Sequence, residues 1–190
     1  MDARVKPAHD PERHPDRQMA TSENETNRIP VAIAGGGPVG LMLALFLDLH
    51  GVRSVVFNTE PQVRRHPKGS THNSRTMEHH RRLGIAPQVR GLSLPIERPT
   101  DVSYYTSLTG WELGRIHMPS EADKRRAVAA SAVTDQIPEP LLRANQMYVE
   151  AFLLAHARTR PNITIRFGWT VTSFEEDADS VTVEKLYKAR

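Results

Sequence analysis

The sequence predicts an α/β protein that opens with a βαβ unit, carries a three-stranded parallel sheet and holds an inserted β-rich segment. Three observations lead there. An apolar run, Val31-Ala32-Ile33-Ala34, is closed by three glycines and followed by a dense apolar helix pattern from Pro38 to His50. A second run, Val55-Val56-Phe57, follows a glycine at Gly51, so strand, glycine turn, helix and strand fall within about 30 residues. A third run, Ile163, Ile165 and Phe167, arrives only about 100 residues later, with hairpin signals between.

The elements follow in order. Residues 1–29 hold five basic residues, six acidic residues and three prolines, with almost no large apolar side chain, and are expected to form a disordered tail. Residues 59–72 are polar and contain Pro61 and Pro67, a loop. Asn73 or Ser74 can cap a short helix that holds Met77 and Leu83 and stops at Gly84. Residues 101–116 alternate around Thr109-Gly110, a hairpin, and 119–140 form a surface excursion with a weakly helical alanine stretch. A helix from about Ala144 to Arg160 presents Met147, Phe152, Leu153 and Ala155 or His156 as its apolar face. A last hairpin joins Val171–Phe174 to Val181–Val183. The domain reading is 30–97 with 141–190 as one nucleotide-binding domain, and 98–140 as part of a second, β-rich one.

Composition narrows the function classes. The chain has 190 residues and no cysteine, which excludes disulfides, thiolate metal sites and a cysteine nucleophile. No apolar run reaches membrane-spanning length, and no secretory leader is expected, so the default location is the cytoplasm. Lys and Arg total 25 against 22 Asp and Glu, a small excess of mixed sign. Basic groups at Arg64-Arg65-His66, His79-His80-Arg81-Arg82 and Lys124-Arg125-Arg126 raise a nucleic-acid reading, but charge alone supports it and the eleven aromatics are scattered. Nine histidines raise a metal reading. His79 and His80 are adjacent, however, and point about 100° apart on a helix, so no metal site is expected. Ser70, Ser74 and Ser131 lack a nucleophile-elbow context.

The chemistry lies in Gly35, Gly37 and Gly40, a G-x-G-x-x-G run between a strand and a helix. Gly35 permits the tight turn, Gly37 lets a pyrophosphate approach the backbone, and Gly40 lets helix and strand pack closely. Pro38 and Val39 complete the turn, where the helix N-terminus offers N–H groups and partial positive charge. This is a Rossmann-like dinucleotide signature. The strand-end position that accepts ribose hydroxyls is Asn58, an amide and not a carboxylate; Glu60, 20 residues beyond Gly40, competes for that role.

Three segments together resemble a family. The Val31–Gly40 opening, Ser74-Arg75-Thr76-Met77-Glu78 and Arg143-x-x-Gln146-x-x-x-Glu150 occur in the order found in single-component FAD-dependent aromatic-ring hydroxylases. The resemblance implies FAD with its adenine half on the βαβ unit and NADPH or NADH as reductant. It further implies molecular oxygen as co-substrate and a small, usually phenolic, aromatic substrate. It assigns Lys68 and Arg75 to the pyrophosphate region, and Arg143 and Gln146 to the FAD ribose and phosphates; ordinary solvated charge is the competing role for Lys68 and Arg143. Glu78 and Glu150 are expected on helix surfaces. No residue is assigned to oxygen transfer. The family's later Asp-Gly and Gly-Asp segments do not occur before Arg190, so the chain is expected to be an incomplete member, either a fragment or a truncation. A nicotinamide-dependent Rossmann protein shares the glycine run, but its third strand would come much sooner.

Overall fold

The computed structural model describes residues 2–7, 28–66, 68–132 and 139–187. The chain forms two compact units, one of residues 1–65 with 150–190 and one of residues 66–149. These boundaries differ from those expected, which placed 66–97 and 141–149 with the nucleotide-binding part.

In the first unit, β1 (Asp2–Pro7) is followed by β2 (Val31–Ala34), α1 (Pro38–Leu49) and β3 (Ser54–Asn58). β2, β3 and β8 (Ile163–Phe167) form the expected parallel sheet in that order, with Ile33 opposite Val56 and Val56 opposite Ile165. A strand covered on both faces reads as an unbroken apolar run, and Val55, Val56 and Phe57 are all buried. α1 buries Leu41, Ala44 and Leu45 and ends at Gly51. In its last turn, Asp48 accepts from Arg160 Nε at 2.7 Å and from Asn162 Nδ2 at 3.0 Å, which fixes the approach to β8. Burial alone would raise the Asp48 pKa, but the hydrogen bonds from Arg160 and Asn162 hold it below the usual carboxylate range.

A second sheet joins β1, β10 (Ser180–Tyr187) and β9 (Trp169–Glu176). The β9–β10 hairpin is the expected one, closed by Asp177 Oδ1 accepting from the N–H groups of Asp179 and Ser180. β1 corrects the expectation of a structureless tail. Residues 2–7 pair in parallel along β10. An open strand edge offers N–H and C=O groups that a segment can pair with whatever its hydrophobicity. Residues 8–27, the rest of the expected tail, lie outside the described residues, as do 133–138 of the inserted excursion.

The second unit holds β4 (Thr71–His72), α2 (Ser74–Arg82), α3 (Ala86–Arg90), β5 (Val102–Tyr105), β6 (Glu112–Ile116), α4 (Glu121–Ala130) and β7 (Leu142–Arg143). Asn73 is the cap of α2, its Oδ1 accepting from Thr76 N–H at 2.8 Å. β5 and β6 form the expected hairpin. α4 starts with a reciprocal capping box between Ser120 and Asp123. Beneath these elements Arg90 is ion-paired to Glu121 and Glu139 and donates to the Pro140 carbonyl.

α5 (Gln146–Arg158) carries the chain back into the first unit. Its buried positions are Val149, Glu150, Leu153, Leu154 and Ala157. The expected face is therefore rotated: Leu153 belongs to it, Ala155 is exposed, and Glu150 is buried and not on the surface.

Candidate functional site

The glycine loop follows β2 and sits against the ends of β3 and β8. Gly35 has φ +117°, a conformation that L side chains rarely adopt, and its N–H donates to the Phe57 carbonyl at 2.8 Å. A Cβ at Gly40 would lie 1.9 Å from the Gly35 carbonyl oxygen, so the first turn of α1 packs directly on the loop. A Cβ at Gly37 would meet nothing within 4 Å, and its φ of −77° suits any residue. Gly37 is thus glycine with no internal steric reason, on the open side of the loop.

The open side has the electrostatics of an anion site. Pro38 occupies the first helical position, Val39 is 84% exposed, and the first turn carries no acidic residue. Helix geometry leaves the first N–H groups without carbonyl partners four residues back. A dinucleotide pyrophosphate fits the open space beside this backbone, which a side chain at Gly37 would occupy.

The strand-end residues behave differently from one another. Asn58 Oδ1 accepts from Gly36 N–H at 3.1 Å, and Asn58 Nδ2 donates to the Glu60 carbonyl at 2.9 Å. Glu60 is engaged through its carbonyl, which also accepts from Gly168 N–H at 3.3 Å, and the residue is exposed. Gly36 was missed by spacing alone. A Cβ there would come within 2.5 Å of the Phe167 ring and 2.8 Å of Asn58 Cβ. The x after Gly35 is thus as constrained as the named glycines, and only the run of three glycines hints at it.

The remaining predicted residues lie in the second unit. Gln146 N–H donates to the Gly69 carbonyl and Ala144 N–H to the Ser70 carbonyl, while Thr71 pairs with Arg143. The segment Lys68–Thr71 and the segment Arg143–Gln146 are thereby held side by side. Arg143 Nη1 donates to Ser70 Oγ at 3.3 Å, and its Nε–H is buried with no hydrogen-bond partner among the described residues. Arg143 also lines a cavity of about 500 Å³ with Ser70, Leu94, Asp101 and Tyr148. Lys68 and Arg75 are exposed cations, Arg75 in the first turn of α2. Ser70 and His72, whose Nε2–H donates to the Ala144 carbonyl at 3.2 Å, are not singled out by the sequence as site residues, since single polar residues in a loop carry no pattern.

Behind this ladder, His80 is 1% exposed with neither ring nitrogen hydrogen-bonded among the described residues, and its ring centroid lies 6.1 Å from that of His72. Burial, with the charges of His72, His79 and Arg90, pushes the His80 pKa down to about 4. Burial also lowers that of His72, against the hydrogen bond to Ala144. Both imidazoles are neutral at pH 7.

The parallel sheet, the glycine loop and the open helix N-terminus define a dinucleotide-binding α/β protein. Residues 28–190 match the FAD binding domain family, and the chain belongs to that family. It is 34% identical over 179 residues to the FAD-dependent monooxygenase apdD of Emericella nidulans, covering 91% of this chain and 28% of that one. It is 32% identical over 168 residues to a phenol 2-monooxygenase of a Pseudomonas species, covering 86% and 26% respectively. Among solved structures it resembles the flavin-dependent monooxygenase PieE in complex with FAD and substrate, with TM-score 0.69 and 29% identity over 83% of this chain and 26% of that one. The rebeccamycin biosynthetic enzyme RebC with reduced flavin gives TM-score 0.66 at 27% identity, over 82% of this chain and 31% of that one. The chain thus spans about a quarter to a third of the length of the proteins it matches. Among the described residues no helix is long and apolar enough to cross a membrane.

Proposed function

We propose that this chain supplies the FAD-binding part of an NAD(P)H-dependent monooxygenase that hydroxylates a small phenolic substrate. The observation that carries the reading is the cradle: a left-handed Gly35, a Gly40 locked against it, and a Gly37 with open space where a side chain would be. When bound, FAD supplies electron transfer from NADH or NADPH and activation of molecular oxygen.

The chain's own residues bind and orient. Gly37 admits the pyrophosphate to the backbone, and the N-terminal N–H groups of α1 face its charge. Asn58 and Glu60 stand at the strand end that borders the ribose. Lys68, Arg75, Arg143 and Gln146 add three cations and an amide, groups suited to phosphate and ribose oxygens. Arg143 lines the cavity beside Ser70, and its guanidinium is suited to a ligand oxygen there. The phenolic substrate is supported by relatives named phenol 2-monooxygenase and, from Delftia acidovorans, 2,4-dichlorophenol 6-monooxygenase, the latter 30% identical over 155 residues.

The test is the visible spectrum of the purified chain after incubation with FAD and desalting. A retained flavin spectrum is expected, and a colourless protein contradicts the cofactor assignment.

A further inference from the structure

Asn58 stands at the end of β3, opposite Phe167 of β8 in the sheet register. Both ends of its amide are engaged. Gly36 N–H can only donate and the Glu60 carbonyl can only accept, so the partners themselves fix which amide atom is oxygen and which is nitrogen. The Glu60 carbonyl also accepts from Gly168 N–H at 3.3 Å, in the turn that follows β8. Asn58 therefore links the glycine loop, its own loop and the end of β8. Its Cβ and the Phe167 ring form the floor on which Gly36 rests.

A carboxylate at this place would satisfy only half of the arrangement. One oxygen could still accept from Gly36 N–H. The other would face the Glu60 carbonyl oxygen with no hydrogen between them, and two acceptors at that separation repel. From this geometry we infer that Asn58 is a positioning residue that clasps the glycine loop, and that its role requires an amide. It acts on the cofactor through Gly36 and not as the ribose acceptor. The inference rests on the FAD-binding reading for its ligand, but the clasp itself is a property of the chain without ligand.

The opposing roles predict effects of opposite sign. FAD affinity is measured by fluorescence quenching for the wild type and Asn58→Asp from pH 8 to pH 4, the variant relative to the wild type at the same pH, so that the window reaches the ordinary carboxylate range. The clasp predicts that Asn58→Asp binds FAD about tenfold more weakly at pH 8. The deficit shrinks on acidification, because a protonated carboxyl regains an O–H donor for the Glu60 carbonyl. A ribose acceptor predicts the reverse: equal or tighter binding at pH 8, lost as the carboxylate protonates. That result overturns the inference.

A second measurement needs no FAD. Amide hydrogen exchange at Gly36 should be about tenfold faster in Asn58→Ala than in the wild type, while amides of β2 and β8 keep their protection. Unchanged exchange at Gly36 overturns the clasp. A wild type that binds no FAD contradicts the proposed function instead, and the Gly36 exchange rate still decides the role of Asn58.

Discussion

In the first unit, the interior is made of Ile33, Val55, Val56, Phe57 and Ile163 with Leu41, Ala44 and Leu45 of α1. In the second, Arg90, Glu121 and His80 are buried along with Met77, Val89 and Leu142, and Glu139, its side chain 14% exposed, completes the charge cluster. The first interior is held by burial of apolar surface, which tolerates small changes and depends on close packing. The second depends on matched charges: Arg90 is stable there only because Glu121, Glu139 and the Pro140 carbonyl surround it. A glycine loop that must admit a ligand is placed on the first kind of support, and the short ladder carrying Arg143 and Gln146 on the second.

The sharpest way to break this contrast is Arg90→Ala. It leaves two largely buried carboxylates facing each other without their cation, and is expected to cost about 3–5 kcal/mol in urea unfolding. A loss below about 1 kcal/mol would mean that the cluster is solvated and that the second unit is supported otherwise. The matching change in the first unit is Gly40→Ala. Its new methyl would overlap the Gly35 carbonyl, and displacing that turn is expected to cost roughly 1–3 kcal/mol. Asp48→Ala tests a buried polar anchor of the first unit. Asp48 has a side chain 3% exposed, while Arg160 is 41% exposed, so an expected loss of about 1 kcal/mol comes mainly from the unpaired Asn162 groups and little from the ion pair.

The last effect is the pH dependence that His80 gives the second unit. The folded pKa of His80, about 4, lies below its ordinary value of 6.5, so the unfolded chain binds more protons between those values. His80 therefore contributes its full stability above pH 6.5, and that contribution is lost as pH falls toward 4. His72 is shifted in the same direction. Thermal unfolding followed between pH 7 and pH 5 is expected to show a loss of roughly 1–2 kcal/mol. A His80→Leu variant should flatten that slope, and an unchanged slope would assign it to other groups.

The same contrast explains what was legible in the sequence. The parallel sheet, α1 and both hairpins follow from apolar runs, alternation and turn residues, all short-range signals. Gly35, Gly37 and Gly40 fall into place because spacing reports backbone geometry. The role of Gly36 was hidden, since its constraint comes from Phe167, 131 positions away. The Arg90 cluster joins charges 31 and 49 positions apart, which no local pattern reveals. The α5 face was misjudged by about one position because a buried Glu150 breaks the rule that carboxylates mark the surface. β1 was read as tail because strand pairing along an open edge leaves no apolar signature.

The central claim is that the open side of Gly37 receives the cofactor's pyrophosphate. It is tested most directly by titrating FAD into the wild type and Gly37→Val and comparing their thermal unfolding. A side chain at Gly37 meets nothing within 4 Å and its backbone angles suit valine, so the two proteins should unfold alike. The account predicts that the wild type retains flavin and that Gly37→Val loses at least tenfold in affinity, about 1.4 kcal/mol or more. Equal flavin affinity in the two proteins would contradict it.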